Sequence, residues 1–173
     1  MKGWLGGFIA GLLVLPVFGF FYLRLGFAPV ATSAPPLPFE QYLTQSALQA
    51  RIDKELPKNE PVAATESTFM MGAMTYRQQC AVCHGLPGQP KSAIAKGMFP
   101  SPPQLFGGRG VTDDPAGETY WKVKNGIRLT GMPGFEKSLS DEEIWQVSEL
   151  LAKADKLPES VLTQLKEAQK AAN

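Results

Sequence analysis

Cys80-Ala81-Val82-Cys83-His84 holds the only two cysteines and the only histidine of a 173-residue sequence. Cys-x-x-Cys-His is the attachment sequence for c-type haem. Two thiols one helical turn apart can add to the two vinyl groups on one edge of a porphyrin, and the adjoining His84 imidazole then faces the iron. The other common readings of Cys-x-x-Cys each make a demand that this sequence does not meet. A closed zinc site wants about four Cys or His ligands, whereas only three such residues exist here, all within five positions. A thioredoxin-like dithiol follows a strand in an alternating strand and helix pattern, and no such pattern surrounds Cys80.

With no second histidine, a second axial ligand for an iron on His84 has to be a methionine. Six are present. Met70, Met71 and Met74 lie just before the cysteines, and Met98 and Met132 lie after them. Met132 stands in Gly131-Met132-Pro133-Gly134, a turn-rich loop that can point a thioether at a metal free of helical constraint. The plainer alternative is that Met132 fills a gap in the core. Met98, in Lys96-Gly97-Met98-Phe99-Pro100, is the reserve candidate, placed so soon after His84 that the opposite haem face is harder to reach.

Two amphipathic helices frame the motif. Ser140 with Glu143 three residues on reads as a capping box, and the acidic first turn suits the helix dipole. Ile144, Val147, Leu150 and Leu151 then recur at helical spacing. Upstream, Phe69, Ala73, Tyr76 and Cys80 make a similar stripe. Between the two runs a Gly/Pro-rich segment, 85–110, offers little regular structure. A domain of about ninety residues with so much loop has a marginal core of its own, and a buried haem would supply the missing apolar surface. Phe99, Leu105, Phe106, Trp121, Ile127, Leu129 and Phe135 are the expected core around it.

From about Ser67 to Asp155, half of the chain, the sequence resembles a class I, mono-haem cytochrome c domain of the membrane-anchored bacterial type. Gly72, Tyr76 and Cys80 follow that family's G-x-x-x-aromatic-x-x-x-C pattern, in which the glycine allows close crossing by the carboxy-terminal helix. Pro103-Gln104-Leu105 resembles the family's P-x-L element, whose proline carbonyl accepts the far proton of the ligating histidine and so orients it; Pro102 is the alternative holder of that role. The stretch from Lys124 to Pro133 is similar to the methionine-loop signature. Ser140 to Leu151 resembles the closing helix, with Leu150 where many relatives carry an aromatic residue. The resemblance implies an all-α, cytochrome c-like fold with loop-rich segments wrapped around the haem. It also implies one covalent haem c per chain, bound through Cys80, Cys83, His84, Met132 and Pro103, with His84 and Met132 as the metal ligands.

The amino-terminal run Gly3–Leu23 has no charged residue, and as a helix it would extend roughly 31 Å, enough for the hydrocarbon layer. It predicts one transmembrane helix, with Pro16 as a tolerable kink. A cleaved signal peptide, with small residues near Ala31-Thr32-Ser33-Ala34, is the competing reading. Lys2 and Arg24 flank the run almost evenly and set no orientation. The family resemblance sets it, because c-type haem is attached outside the cytoplasm: a single-pass protein of the cytoplasmic membrane with its haem domain on the periplasmic side. The expected organisation is an anchor over 1–26, an Ala/Pro-rich tether with a short helix over 27–65, the haem domain over 66–156 and an amphipathic helix over 157–173. Within the tether, 39–56 reads as helical with Leu48, Ile52 and Leu56 on one stripe. In the last segment Val161, Leu162, Leu165 and Ala168 align, either to pack on the haem domain or to dock a partner.

A net charge of +1 gives no nucleic-acid footprint. Lys91, Lys96, Lys122, Lys124 and Lys137 are candidates for a ring that steers an acidic partner. Tyr120 and Arg128 are candidate propionate partners. With the histidine committed to iron no Ser/His/Asp set can form, and no small-molecule substrate is expected. The sequence therefore predicts a one-electron carrier of a respiratory chain rather than an enzyme, exchanging electrons with a dehydrogenase, a quinol-oxidising complex or a terminal oxidase. One alternative is a permanent cytochrome subunit serving as the electron port of such a complex. Another is a haem sensor in which Met132 leaves the iron.

Overall fold

The computed structural model describes residues 2–107 and 114–167, and their side chains except at 2–6, 8–10 and 167. The described residues form eight helices and no strand: α1 (Lys2–Arg24), α2 (Glu40–Glu55), α3 (Glu66–Gln79), α4 (Ala81–His84), α5 (Ala93–Gly97), α6 (Ala116–Asn125), α7 (Asp141–Ala152) and α8 (Glu159–Glu167). They divide into two compact units, Met1–Gln41 and Tyr42–Asn173.

The first unit is essentially α1, which continues through Pro16. Leu12, Leu13, Leu15, Phe18, Phe20 and Leu23 all stand exposed on it. Among the described residues no helix is long and apolar enough to cross a membrane. The span expected over Gly3–Leu23 falls partly on side chains outside the description.

The second unit is built on the crossing of α3 and α7. Thr65 caps α3 by accepting the Thr68 N–H at 3.2 Å. Ser140 and Glu143 form the expected capping box at the start of α7, the Ser140 N–H reaching Glu143 Oε2 at 2.8 Å. The two helices meet at Gly72, where a Cβ would stand 2.3 Å from the Gln146 carbonyl oxygen. Only hydrogen fits there, and the close approach closes the core around it. Phe69, Ala73 and Tyr76 of α3 bury against Ile144, Val147, Leu150 and Leu151 of α7, as the helical spacing requires. Burying a Phe, Ile, Val or Leu side chain is worth about 1.5–3 kcal/mol. Trp145 is also buried, with its ring stacked on Tyr120 of α6 at 4.2 Å; the aromatic residue of α7 thus sits beside the expected apolar stripe rather than at Leu150.

Helix α8 packs on α3 through Val161 and Leu165. It is pinned where Arg77 donates to the Gln164 carbonyl at 3.0 Å and Ser160 to Glu66 at 2.5 Å. Ala168 lies outside the described residues. In α2, Ile52 is fully buried while Leu48 is half-buried and Leu56 exposed, so the predicted stripe narrows to one anchor. One expected core residue needs correction: Leu129 is 94% exposed. It lies in a turn closed by the Thr130 N–H on the Ile127 carbonyl at 3.2 Å, with φ of 60°, and that backbone turns its side chain outward.

Candidate functional site

Helix α3 delivers the cysteines. The Cys80 N–H still bonds the Tyr76 carbonyl at 2.9 Å, and the chain then restarts as the single turn α4, with the Cys83 and His84 N–H groups both on the Cys80 carbonyl at 3.1 and 2.9 Å. Cys80 and Cys83 are therefore one turn apart, with free thiols. Gly85 stops the turn at φ 73°, a conformation that favours glycine. Its carbonyl accepts the Tyr76 hydroxyl at 2.7 Å, and the Tyr76 ring is held edge-on by Phe106 at 4.9 Å.

His84 Nδ1 lies 2.9 Å from the Pro103 carbonyl. A carbonyl only accepts, so Nδ1 carries the proton and Nε2 keeps its lone pair for a metal. Burial lowers the His84 pKa while the Pro103 carbonyl works the other way; the imidazole is neutral at pH 7, the form that binds metals. Of the two adjacent prolines it is Pro103, not Pro102, whose carbonyl makes this bond.

The Met132 loop is held by glycine contacts with the end of α6. Gly126 turns the chain at φ 69°, and a Cβ on it would meet the Gly134 nitrogen at 2.5 Å; one on Gly134 would meet the Asn125 carbonyl at 2.7 Å. The loop then locks itself. The Ile127 N–H bonds the Met132 carbonyl at 3.2 Å, and Thr130 Oγ1 accepts the Met132 N–H at 3.1 Å while donating to the Ile127 carbonyl at 2.7 Å. Phe135 is tied back to the Val123 carbonyl at 2.9 Å.

Cys80, Cys83, His84, Pro103 and Met132 all line one cleft of about 130 Å³, with Val123, Ile127 and Phe135 among its apolar walls. Cofactor sites are commonly lined by mostly apolar walls with a few placed polar groups. Met98 lines the same cleft, its methyl 1.9 Å from where Gly131 would carry a Cβ. Its place soon after His84 did not keep it from the site, because the loop from Gly97 folds back over the Met132 loop. Tyr120 and Arg128 do not line the cleft. Tyr120 instead donates to Asp141 at 2.5 Å and accepts from Lys124 at 2.8 Å. Lys122 is paired with Glu118 at 2.6 Å and Lys91 donates to Ser101 at 2.6 Å, so three of the five lysines proposed as a ring have partners of their own.

The donor set fits haem c. Burial pushes the Cys80 thiol up to about 12, with the neighbouring Cys83 adding to the effect. A redox-active dithiol needs the opposite shift. No group of three or more His, Cys, Asp or Glu residues that could hold a metal ion occurs among the described residues. What remains is two thiols one turn apart, an imidazole with a free Nε2 and a thioether on an apolar cleft.

An all-helical unit with this site defines a c-type cytochrome domain. Residues 67–151 match the family described as cytochrome c oxidase, cbb3-type, subunit III, and the chain carries a c-type cytochrome domain over that range, which implies haem c as its cofactor. The chain is also 29% identical over 90 residues to the quinohemoprotein alcohol dehydrogenase ADH IIB of Pseudomonas putida, an alignment covering 51% of this chain and 11% of that protein. The chain thus matches about a tenth of the relative's length. Such a domain carries electrons and does not itself transform a substrate.

Proposed function

We propose that the protein is a one-electron carrier that binds one haem c covalently through Cys80 and Cys83, with His84 and Met132 as axial ligands, and works at the outer face of the cytoplasmic membrane. The observation that carries this reading is the convergence of those four side chains on one apolar cleft, with His84 Nδ1 bonded to the Pro103 carbonyl. Haem c in that cleft supplies reversible one-electron chemistry at iron. The chain's own residues do the rest. The two sulfurs fix the group in place, Pro103 holds the imidazole plane, and the glycine-clamped loop presents the Met132 thioether. Val123, Ile127 and Phe135 keep water away. A thioether ligand and apolar burial both favour the reduced state and raise the potential.

Tethering rests on α1, whose exposed leucines and phenylalanines have an apolar surface to bury. Such a tether is retained through alkaline and high-salt washing, because apolar burial rather than charge holds it. Release of the red protein by those washes would overturn the tether and leave the cytochrome reading untouched.

A second reading is favoured by the comparisons. The matching family is described as an oxidase subunit and the relative is named a dehydrogenase, so the domain here would be the fixed electron port of an enzyme complex. Purification from membranes in mild detergent separates the two. A free carrier elutes alone and is reduced by added donors, whereas a port elutes at constant ratio with its catalytic partner.

A further inference from the structure

Helix α3 bears a second sulfur-rich face that the haem cleft does not use. Three of the six methionines fall within five residues, at Met70, Met71 and Met74. At about 100° per residue, Met74 projects between the other two, roughly 40° from Met70 and 60° from Met71, so the three thioethers share about 100° of the helix circumference. The centre of that arc points away from Phe69, Gly72 and Tyr76, while at its edges Thr75 is buried next to Met71 and Met70 packs against the core. Met71 is 46% exposed and Met74 45%, with Met70 half-buried beside them. An exposed helix face ordinarily carries charged or polar residues, and two exposed thioethers there, with a third at the edge of the core beside them, need a reason.

We propose that Met70, Met71 and Met74 form a surface site for one monovalent copper ion, Cu(I). Thioethers are soft, uncharged donors that select Cu(I) over hard cations such as magnesium and calcium. Methionine has the rotatable bonds to bring three sulfurs from neighbouring positions onto one ion. The charged neighbours on α3 do not compete: Glu66 accepts from Ser160 and Arg77 donates to the Gln164 carbonyl, both of α8. The site needs neither the cysteines nor the histidine and does not rest on the haem reading.

The test is anaerobic titration of the full purified chain with Cu(I) against a chromophoric Cu(I) chelator, on the Cys80→Ser/Cys83→Ser background that removes the competing thiols, with the native methionines (here the wild type) beside the added Met71→Leu/Met74→Leu variant. The wild type takes one Cu(I) per chain from the chelator. The variant binds it more than about a hundredfold more weakly, since losing even an outer-shell partner costs 10–100-fold. Its helical circular dichroism is unchanged, because the exchange conserves volume on an exposed face. Copper held equally by both proteins, or by neither, overturns the proposal, as does copper lost from Met132→Leu but kept by the double variant.

Discussion

The Tyr76 hydroxyl donates to the Gly85 carbonyl at 2.7 Å, tying the third turn of α3 to the residue that ends the cysteine–histidine turn. Both partners are buried. The bond spans Cys80, Cys83 and His84, so the orientation of that turn is fixed from the helical core rather than by the loop that follows.

Tyr76→Phe keeps the ring against Phe106 and leaves the Gly85 carbonyl without this donor. An unsatisfied buried polar group costs about 1–3 kcal/mol. The denaturation midpoint should fall accordingly, measured by chemical unfolding of matched samples, and an unchanged midpoint would show that the bond is dispensable.

Gly72→Ala places a methyl 2.3 Å from the Gln146 carbonyl oxygen, a backbone atom that cannot move aside. Overpacking of this kind costs about 1–3 kcal/mol or more. Gly107→Ala, with nothing within 4 Å, is the control and should shift stability by less than about 0.5 kcal/mol. Equal shifts for the two variants would mean that the α3–α7 contact is looser than described.

Glu149 is buried on α7, and its pKa is raised above 4.5, first by burial and then by Glu60, with Lys153 opposing. A raised acid pKa means that the folded state binds the proton more tightly than the unfolded chain. Its favourable contribution is complete below the unfolded value and lost as pH rises through the folded one. Glu149→Gln should therefore be more stable than the wild type at pH 7, with the advantage fading as pH is lowered toward about 4.5. Thermal melts across pH 4–7 check the sign; a variant less stable at pH 7 contradicts it.

Met132→Ala should remove the weak far-red band of sulfur-ligated ferric haem, lower the reduction potential and open the ferrous iron to carbon monoxide. Met98→Ala should do none of these. The comparison matters because both thioethers line the cleft. If the band survives loss of Met132 and disappears with Met98, the ligand assignment is reversed while the cytochrome reading stands.

Local chemistry made much of this legible in the sequence. Cys80, Cys83 and His84 are unique residues in a spacing with few uses, Ser140 and Glu143 cap by adjacency, and the α3 and α7 stripes follow helical periodicity. What was not legible depends on how distant segments meet. The Gly126–Gly134 clamp is a contact between loop ends that no periodicity reveals. Met98 is only a reserve ligand by its closeness to His84 along the chain, and its place in the same cleft as Met132 depends on its loop folding back onto Gly131. Residue type makes Tyr120 a candidate propionate partner, but its hydroxyl is taken by Asp141 and Lys124. Hydrophobicity alone puts Leu129 in the core, which its turn conformation overrides.

The electron-carrier function proposed for this protein depends on the cleft holding one haem c joined to Cys80 and Cys83. Intact mass measured after denaturation tests it most directly, on protein made in a host that attaches c-type haem, beside the Cys80→Ser/Cys83→Ser variant. The wild type should carry the mass of one haem through denaturation, and the variant should have the mass of the bare polypeptide. Haem retained by the denatured variant, or a wild type that never carries it, would contradict the account.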